Sequence, residues 1–124
     1  MKMIRIAIAD DFEIFRDGLK AVLASEPDME IVLEAGNGED LLEGLESTPA
    51  DVVMLDLKMP VIDGKKATGM LLEKHPSLKI LVVSMYADDI FIKKLREIGA
   101  HGYLLKEASP AEIKRSIRGL FENI

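Results

Sequence analysis

Cysteine is absent from this chain of 124 residues, which excludes disulfides and thiolate metal sites and suits a reducing cytoplasm. Histidine is nearly as scarce. His75 and His101 are the only two and show no H-E-x-x-H spacing, so a zinc enzyme is not expected and both are read as surface or turn residues. No apolar run approaches the roughly 20 residues that span a bilayer. The N-terminal Met1-Lys2-Met3-Ile4-Arg5 leads into a short apolar run without the small-residue cleavage site of a secretory signal. A surplus of positive charge is also missing. With a net charge of -6, and with Lys93, Lys94 and Arg96 interspersed with acids such as Glu97, the chain lacks the clustered cations that nucleic-acid phosphates require. Neither DNA nor a membrane is an expected direct partner.

What is present is an alternation of strand-like and helix-like patterns from end to end. Apolar runs over residues 3–9, 29–35, 52–55, 78–84 and 101–105 have strand length. Between them, apolar residues recur at helical spacing: Phe12, Phe15, Leu19, Val22 and Leu23; Leu41, Leu42 and Leu45; Ala67, Met70 and Leu71; Phe91, Leu95 and Ile98; and Ile113, Ile117, Leu120 and Phe121. Punctuation agrees. Glu26-Pro27-Asp28, Pro49 and His75-Pro76 end helices, Gly36-Asn37-Gly38 turns into one, Asp88-Asp89 caps one that stops at Gly99, and Ser109-Pro110 gives a cap followed by an N1 proline. The seven methionines are read as core filler. Alternating β and α units imply an α/β fold with a parallel sheet covered on both faces. The expected arrangement is a flavodoxin-like, doubly wound (βα)5 domain with strand order 2-1-3-4-5, filling residues 1–124.

The central stretch, residues 50–64, organises the rest. Its run of Val52, Val53, Met54 and Leu55 reads as a strand buried on both faces, and Asp56 stands at its carboxyl end. Met59-Pro60 blocks continuation and Asp63-Gly64 marks a turn. Ligands of open α/β sheets bind beyond the carboxyl ends of the strands. In the expected topology Asp10 and Asp11 end strand 1, Asp56 ends its neighbour, Ser84 ends strand 4 and Lys106 ends strand 5. Three carboxylates in one crevice repel one another unless a cation joins them. Oxygen-only ligands suit Mg²⁺, whose remaining positions accept water or phosphate oxygens. Taken singly, each residue has a plainer role: an acid caps a helix, a serine bonds nearby backbone, a lysine is solvated. Four strands delivering suitable groups at one end favour a phosphoryl site.

At this point the chain resembles the receiver domains of bacterial two-component response regulators over essentially its whole length. The resemblance is carried by Asp10-Asp11, the D-x-x-M-P-x-x-D-G run over residues 56–64, Ser84, and the G-Y-L-L-K run over residues 102–106. His75-Pro76 and Lys106-Glu107-Ala108-Ser109-Pro110 are similar to the LuxR/FixJ-type subgroup. The resemblance implies that Asp56 accepts a phosphoryl group from a sensor histidine kinase. It implies that Asp11, Asp56 and the backbone carbonyl of Lys58 bind Mg²⁺, with Asp10 acting through water. Lys106 would contact the phosphoryl oxygens, Ser84 would report the phosphorylated state, and Tyr103 would be the aromatic switch. Lys58 and Tyr86 fall at variable positions bordering the phosphate. Homodimerisation on phosphorylation is implied, as is DNA binding through a helix-turn-helix domain beyond this chain; a stand-alone relay protein is the alternative. Many receivers have a cis proline after the lysine, but Glu107 stands here, so no cis bond is expected there.

An aspartate-nucleophile, Mg²⁺-dependent phosphatase is the enzymatic rival. Its usual D-x-D places a second acid where Lys58 stands, so a stoichiometric switch rather than an enzyme is expected. A nucleotide-binding domain fits poorly, because Gly36-Asn37-Gly38 lacks a third glycine and follows the second strand.

Overall fold

The computed structural model describes residues 2–57, 64–85 and 89–121, without the side chains of residues 65 and 91. Ten elements alternate in order: β1 (Ile4–Ala9), α1 (Glu13–Leu23), β2 (Met29–Ala35), α2 (Gly38–Ser47), β3 (Val52–Asp56), α3 (Gly64–Lys74), β4 (Lys79–Ser84), α4 (Asp89–Ile98), β5 (Gly102–Leu105) and α5 (Pro110–Gly119). The strands form one sheet in the order β2-β1-β3-β4-β5, and every pairing is parallel. This is the expected topology. All of β3 is buried, which places the most apolar strand at the centre.

The two-residue period of the strands divides the apolar side chains between two cores. Ile6, Ile8, Val52, Met54, Leu81 and Val83 face Leu19 and Leu23 of α1 and Ile113 and Ile117 of α5. Their immediate neighbours Ala7, Ala9, Val53, Leu55, Ile80 and Val82 face the other way, onto Leu41 and Leu45 of α2, Leu71 of α3 and Leu95 of α4. Each fully buried Leu, Ile or Val contributes about 1.5–3 kcal/mol of transfer free energy.

Local signals set the helix ends. Asn37 caps α2, its Oδ1 accepting the Asp40 N–H at 2.8 Å, and Ser109 caps α5, its Oγ accepting the Glu112 N–H at 3.2 Å. α4 ends at Gly99, whose φ of +124° is the one positive value among the described glycines; a Cβ there would lie 2.4 Å from Leu72 Cδ1. After α1, Arg118 of α5 clamps the connection to β2 through Glu26 at 2.6 Å and Asp28 at 2.8 Å. Its guanidinium holds both carboxyls below their ordinary range.

Several expectations need correction. Phe12 is 58% exposed and Phe121 38%. Phe12 occupies the extended N-cap position of α1, and Phe121 follows the C-cap of α5, so neither lies on its helix's buried stripe. The methionines are not uniformly core: Met29 and Met54 are buried, whereas Met3 and Met85 are exposed. His101 is a turn residue but not an idle one, because its Nδ1 accepts the Ile80 N–H at 3.0 Å. Partial burial and the charge of Lys79 depress its pKa. No cis peptide occurs among the described residues. Lys58, Met59-Pro60, Asp63, Tyr86 and Asp88 lie outside them.

Candidate functional site

At the carboxyl ends of β1, β3, β4 and β5 the sheet order brings four chain segments to one crevice. Asp10 follows β1 and extends its pairing, since its N–H donates to the Ala35 carbonyl at 3.0 Å. Its side chain is almost wholly buried. One carboxylate oxygen, Oδ1, accepts the Phe12 N–H at 2.8 Å. Asp10 therefore does part of the capping work at the start of α1, where Phe12 itself has no capping side chain. Asp56 ends β3 and is buried. Asp11, between β1 and α1, is exposed.

One oxygen from each of these three carboxylates lies within 4.8 Å of the other two. Lys106 enters from beyond β5, its N–H donating to the Ser84 carbonyl at 2.8 Å. Its side chain is only 13% exposed, and Nζ lies 2.8 Å from Asp10 Oδ2 and 3.4 Å from Asp56 Oδ2. The ammonium also stands over the Phe15 ring, 4.7 Å from its centroid, within the range of a cation–π contact. Ser84 is buried at the end of β4. Tyr103 of β5 is partly buried against the core on the α2–α4 side.

The donor set fits a hard divalent cation. It is all oxygen, and one ammonium against three carboxylates leaves a formal surplus of two negative charges. The buried Asp10 Oδ2 has the Lys106 ammonium 2.8 Å away as an ion-pair partner but no hydrogen bond among the described residues. Buried carboxylate oxygens are normally satisfied, and a cation or an ordered water would complete this one.

Asp10, Asp11, Asp56 and Lys106 thus meet, with Ser84 at the same end of the sheet. Lys58 and Tyr86 lie outside the described residues. Sequence reasoning missed two neighbours from α1. Phe15, read only as core, lies beneath the Lys106 ammonium. Arg16 reaches back and donates to the Asp10 main-chain carbonyl. Neither residue carried a local sequence signal beyond its place on α1. Beside the crevice runs an apolar groove of about 430 Å³ that includes Phe12, Ile14 and Met85, all largely exposed.

Comparisons with known proteins point the same way. The family model for the response regulator receiver domain matches residues 6–118. The transcriptional regulatory protein DegU of Brevibacillus brevis is 40% identical over 104 residues, covering 84% of this chain and 44% of its own length. The response regulator GacA of Pseudomonas viridiflava is 38% identical over 119 residues, covering 96% of this chain and 56% of its own. The chain spans about half the length of these curated relatives. Among solved structures, a LuxR-family two-component response regulator from Aurantimonas sp. SI85-9A1 superposes with a TM-score of 0.90 at 29% identity, over 96% of this chain and 85% of that one.

Proposed function

Since the chain belongs to the response regulator receiver domain family, we propose that it is a stoichiometric phosphoryl switch in which Asp56 is the acceptor. The convergence of Asp10, Asp11 and Asp56 on one point, with the Lys106 ammonium against them, carries this reading. A carboxylate oxygen of Asp56 attacks phosphorus, the bond from phosphorus to the donor breaks, and an acyl phosphate results. The donor is a histidine of a sensor kinase or a small phosphodonor. Such transfer needs in-line positioning and charge stabilisation more than covalent chemistry. Lys106 supplies one positive charge beside the acceptor. Asp11, Asp56 and the main-chain carbonyl of Lys58 would hold Mg²⁺, with Asp10 acting through water. When bound, Mg²⁺ neutralises the acids and draws charge from the phosphoryl oxygens.

The product carries extra charge and strong acceptors. A charge-assisted hydrogen bond from Ser84 contributes about 1.5–3 kcal/mol, and one from Lys106 a similar amount. Moving a population from 1:99 to 99:1 takes about 5.5 kcal/mol. The two bonds together approach a full switch; Ser84 alone does not. Tyr103, half-buried against the α2–α4 side, would reorient as Ser84 turns to the phosphoryl group. That change would remodel the face made by α4, β5 and α5, where self-association is proposed. Residues 1–124 are proposed as one receiver domain in the cytoplasm, with any DNA contact made by a separate helix-turn-helix domain; a stand-alone relay protein is the alternative. Lys58 and Tyr86 are proposed to border the phosphate.

Acetyl phosphate with Mg²⁺ should label the protein once per chain with hydroxylamine-sensitive phosphate, and Asp56→Asn should abolish the label. Full labelling of that variant would remove Asp56 as acceptor. Sustained release of phosphate from simple monoesters would favour the phosphatase instead.

A further inference from the structure

Asp11 is the one member of the acid cluster whose direction nothing else fixes. Its carboxylate is exposed and has no hydrogen-bond or ion-pair partner among the described residues, so the backbone alone aims it. That backbone is held through Asp10, which is anchored at three atoms. Its N–H is tied to Ala35, its Oδ1 to the Phe12 N–H, and its carbonyl to Nη1 of Arg16. The carbonyl belongs to the Asp10–Asp11 peptide itself. Its orientation therefore fixes the Asp11 N and Cα, from which the Asp11 side chain starts.

We propose that Arg16 is a positioning residue for the divalent-cation site, holding the Asp10–Asp11 peptide in the orientation that turns the Asp11 carboxylate toward Asp56. This rests on the functional reading above.

Arg16 is poorly placed for a simpler task. It stands near the positive end of the α1 dipole, at a cost. Its side chain is only 18% exposed, and Nε, 3.4 Å from Glu34 Oε1, is buried without a hydrogen bond. Glu34 already has a closer partner in Lys20, at 3.0 Å, so neutralising Glu34 does not account for the guanidinium. A fork-shaped donor can reach the carbonyl with one nitrogen while another faces Glu34, and a lysine ammonium cannot span both. Groups that orient metal ligands without touching the metal commonly affect affinity by about ten- to hundredfold when removed.

Titration of the whole chain with Mg²⁺ alone, by calorimetry at 25 °C, tests this. The variants are Arg16→Ala, Arg16→Lys and Glu34→Gln. Arg5→Ala is the control, removing an ion pair to Asp51 (3.3 Å) at the opposite end of the strands. Thermal unfolding in EDTA measures stability separately. Both Arg16 variants should bind Mg²⁺ about ten- to hundredfold more weakly. Glu34→Gln and Arg5→Ala should stay within about twofold of the parent, whatever their Tm. Should Arg16→Ala not fold, Arg16→Lys decides. Parental affinity in a folded Arg16 variant overturns the proposal, as does an equal loss in Arg5→Ala, which would make the effect general destabilisation. Failure of the parent protein to bind Mg²⁺ would instead overturn the functional reading, and this inference with it.

Discussion

Replacing Lys106 with methionine keeps the stem and deletes the charge, so it isolates what the ammonium does. Nζ lies 2.8 Å from Asp10 Oδ2 and 3.4 Å from Asp56 Oδ2. At an effective dielectric of about 20 these attractions amount to about 6 and about 5 kcal/mol. Most of that offsets dehydration of the ammonium, so the sum is not the net effect. The better guide is the cost of removing one partner from a buried ion pair, about 3–5 kcal/mol. Lys106 keeps 13% exposure, which favours the low end, about 3 kcal/mol. For a chain of this size that corresponds to a fall in Tm of about 10 °C. Mg²⁺ would neutralise the same acids, so the deficit should shrink to less than half at saturating Mg²⁺. Circular-dichroism melts of the parent and Lys106→Met, in EDTA and in Mg²⁺, give the four values required. An unchanged Tm in EDTA would refute the claim that Lys106 holds the acid cluster together. An equal loss in both buffers would refute the claim that the cation and the lysine neutralise the same charges.

Three further outcomes follow from features away from the crevice. Gly99→Ala should cost about 2 kcal/mol, because the backbone there is one that L side chains rarely adopt; urea unfolding should show a lower midpoint with an unchanged m-value. The carboxyls of Glu26 and Asp28 titrate lower in the folded chain than at their ordinary 4.5 and 3.8, so their contribution is complete above those values and is lost as pH falls through the lower folded ones. Arg118→Ala should flatten that acid limb and leave the shape of the profile above pH 5 unchanged. His101 is likewise depressed below 6.5, and protonation of Nδ1 would break its bond to the Ile80 N–H. Stability should therefore decline as pH falls below about 6.5, and His101→Asn, which keeps an acceptor but cannot titrate, should lack that component in chemical denaturation.

The fold was legible because its periods are strong. Val52 to Leu55 have no polar interruption and form the buried centre of the sheet, and the Leu41, Leu42, Leu45 spacing leaves α2 only one face to bury. Asp10, Asp56, Ser84 and Lys106 could be named because each stands at or just beyond the carboxyl end of a strand, and parallel strands deliver their ends to one side. Phe12 and Phe121 were misplaced because apolar spacing runs on past the helix ends, Phe12 into the extended N-cap of α1 and Phe121 beyond the C-cap of α5. Phe15 and Arg16 were legible only as helix residues. Their contacts with Lys106 and the Asp10 carbonyl depend on how α1 lies across the sheet, which no local pattern encodes.

The division of the apolar interior into two compartments, one on each side of a single sheet, has a bearing on how such a molecule diversifies. Changes under α1 and α5 meet few of the side chains that line the compartment beneath α2, α3 and α4, so substitutions in separate compartments should add nearly independently, whereas those sharing one should couple. A descendant lineage is then free to resculpt one flank for a new associate while the opposite flank, and the acidic crevice at the strand tips, keep their inherited shape.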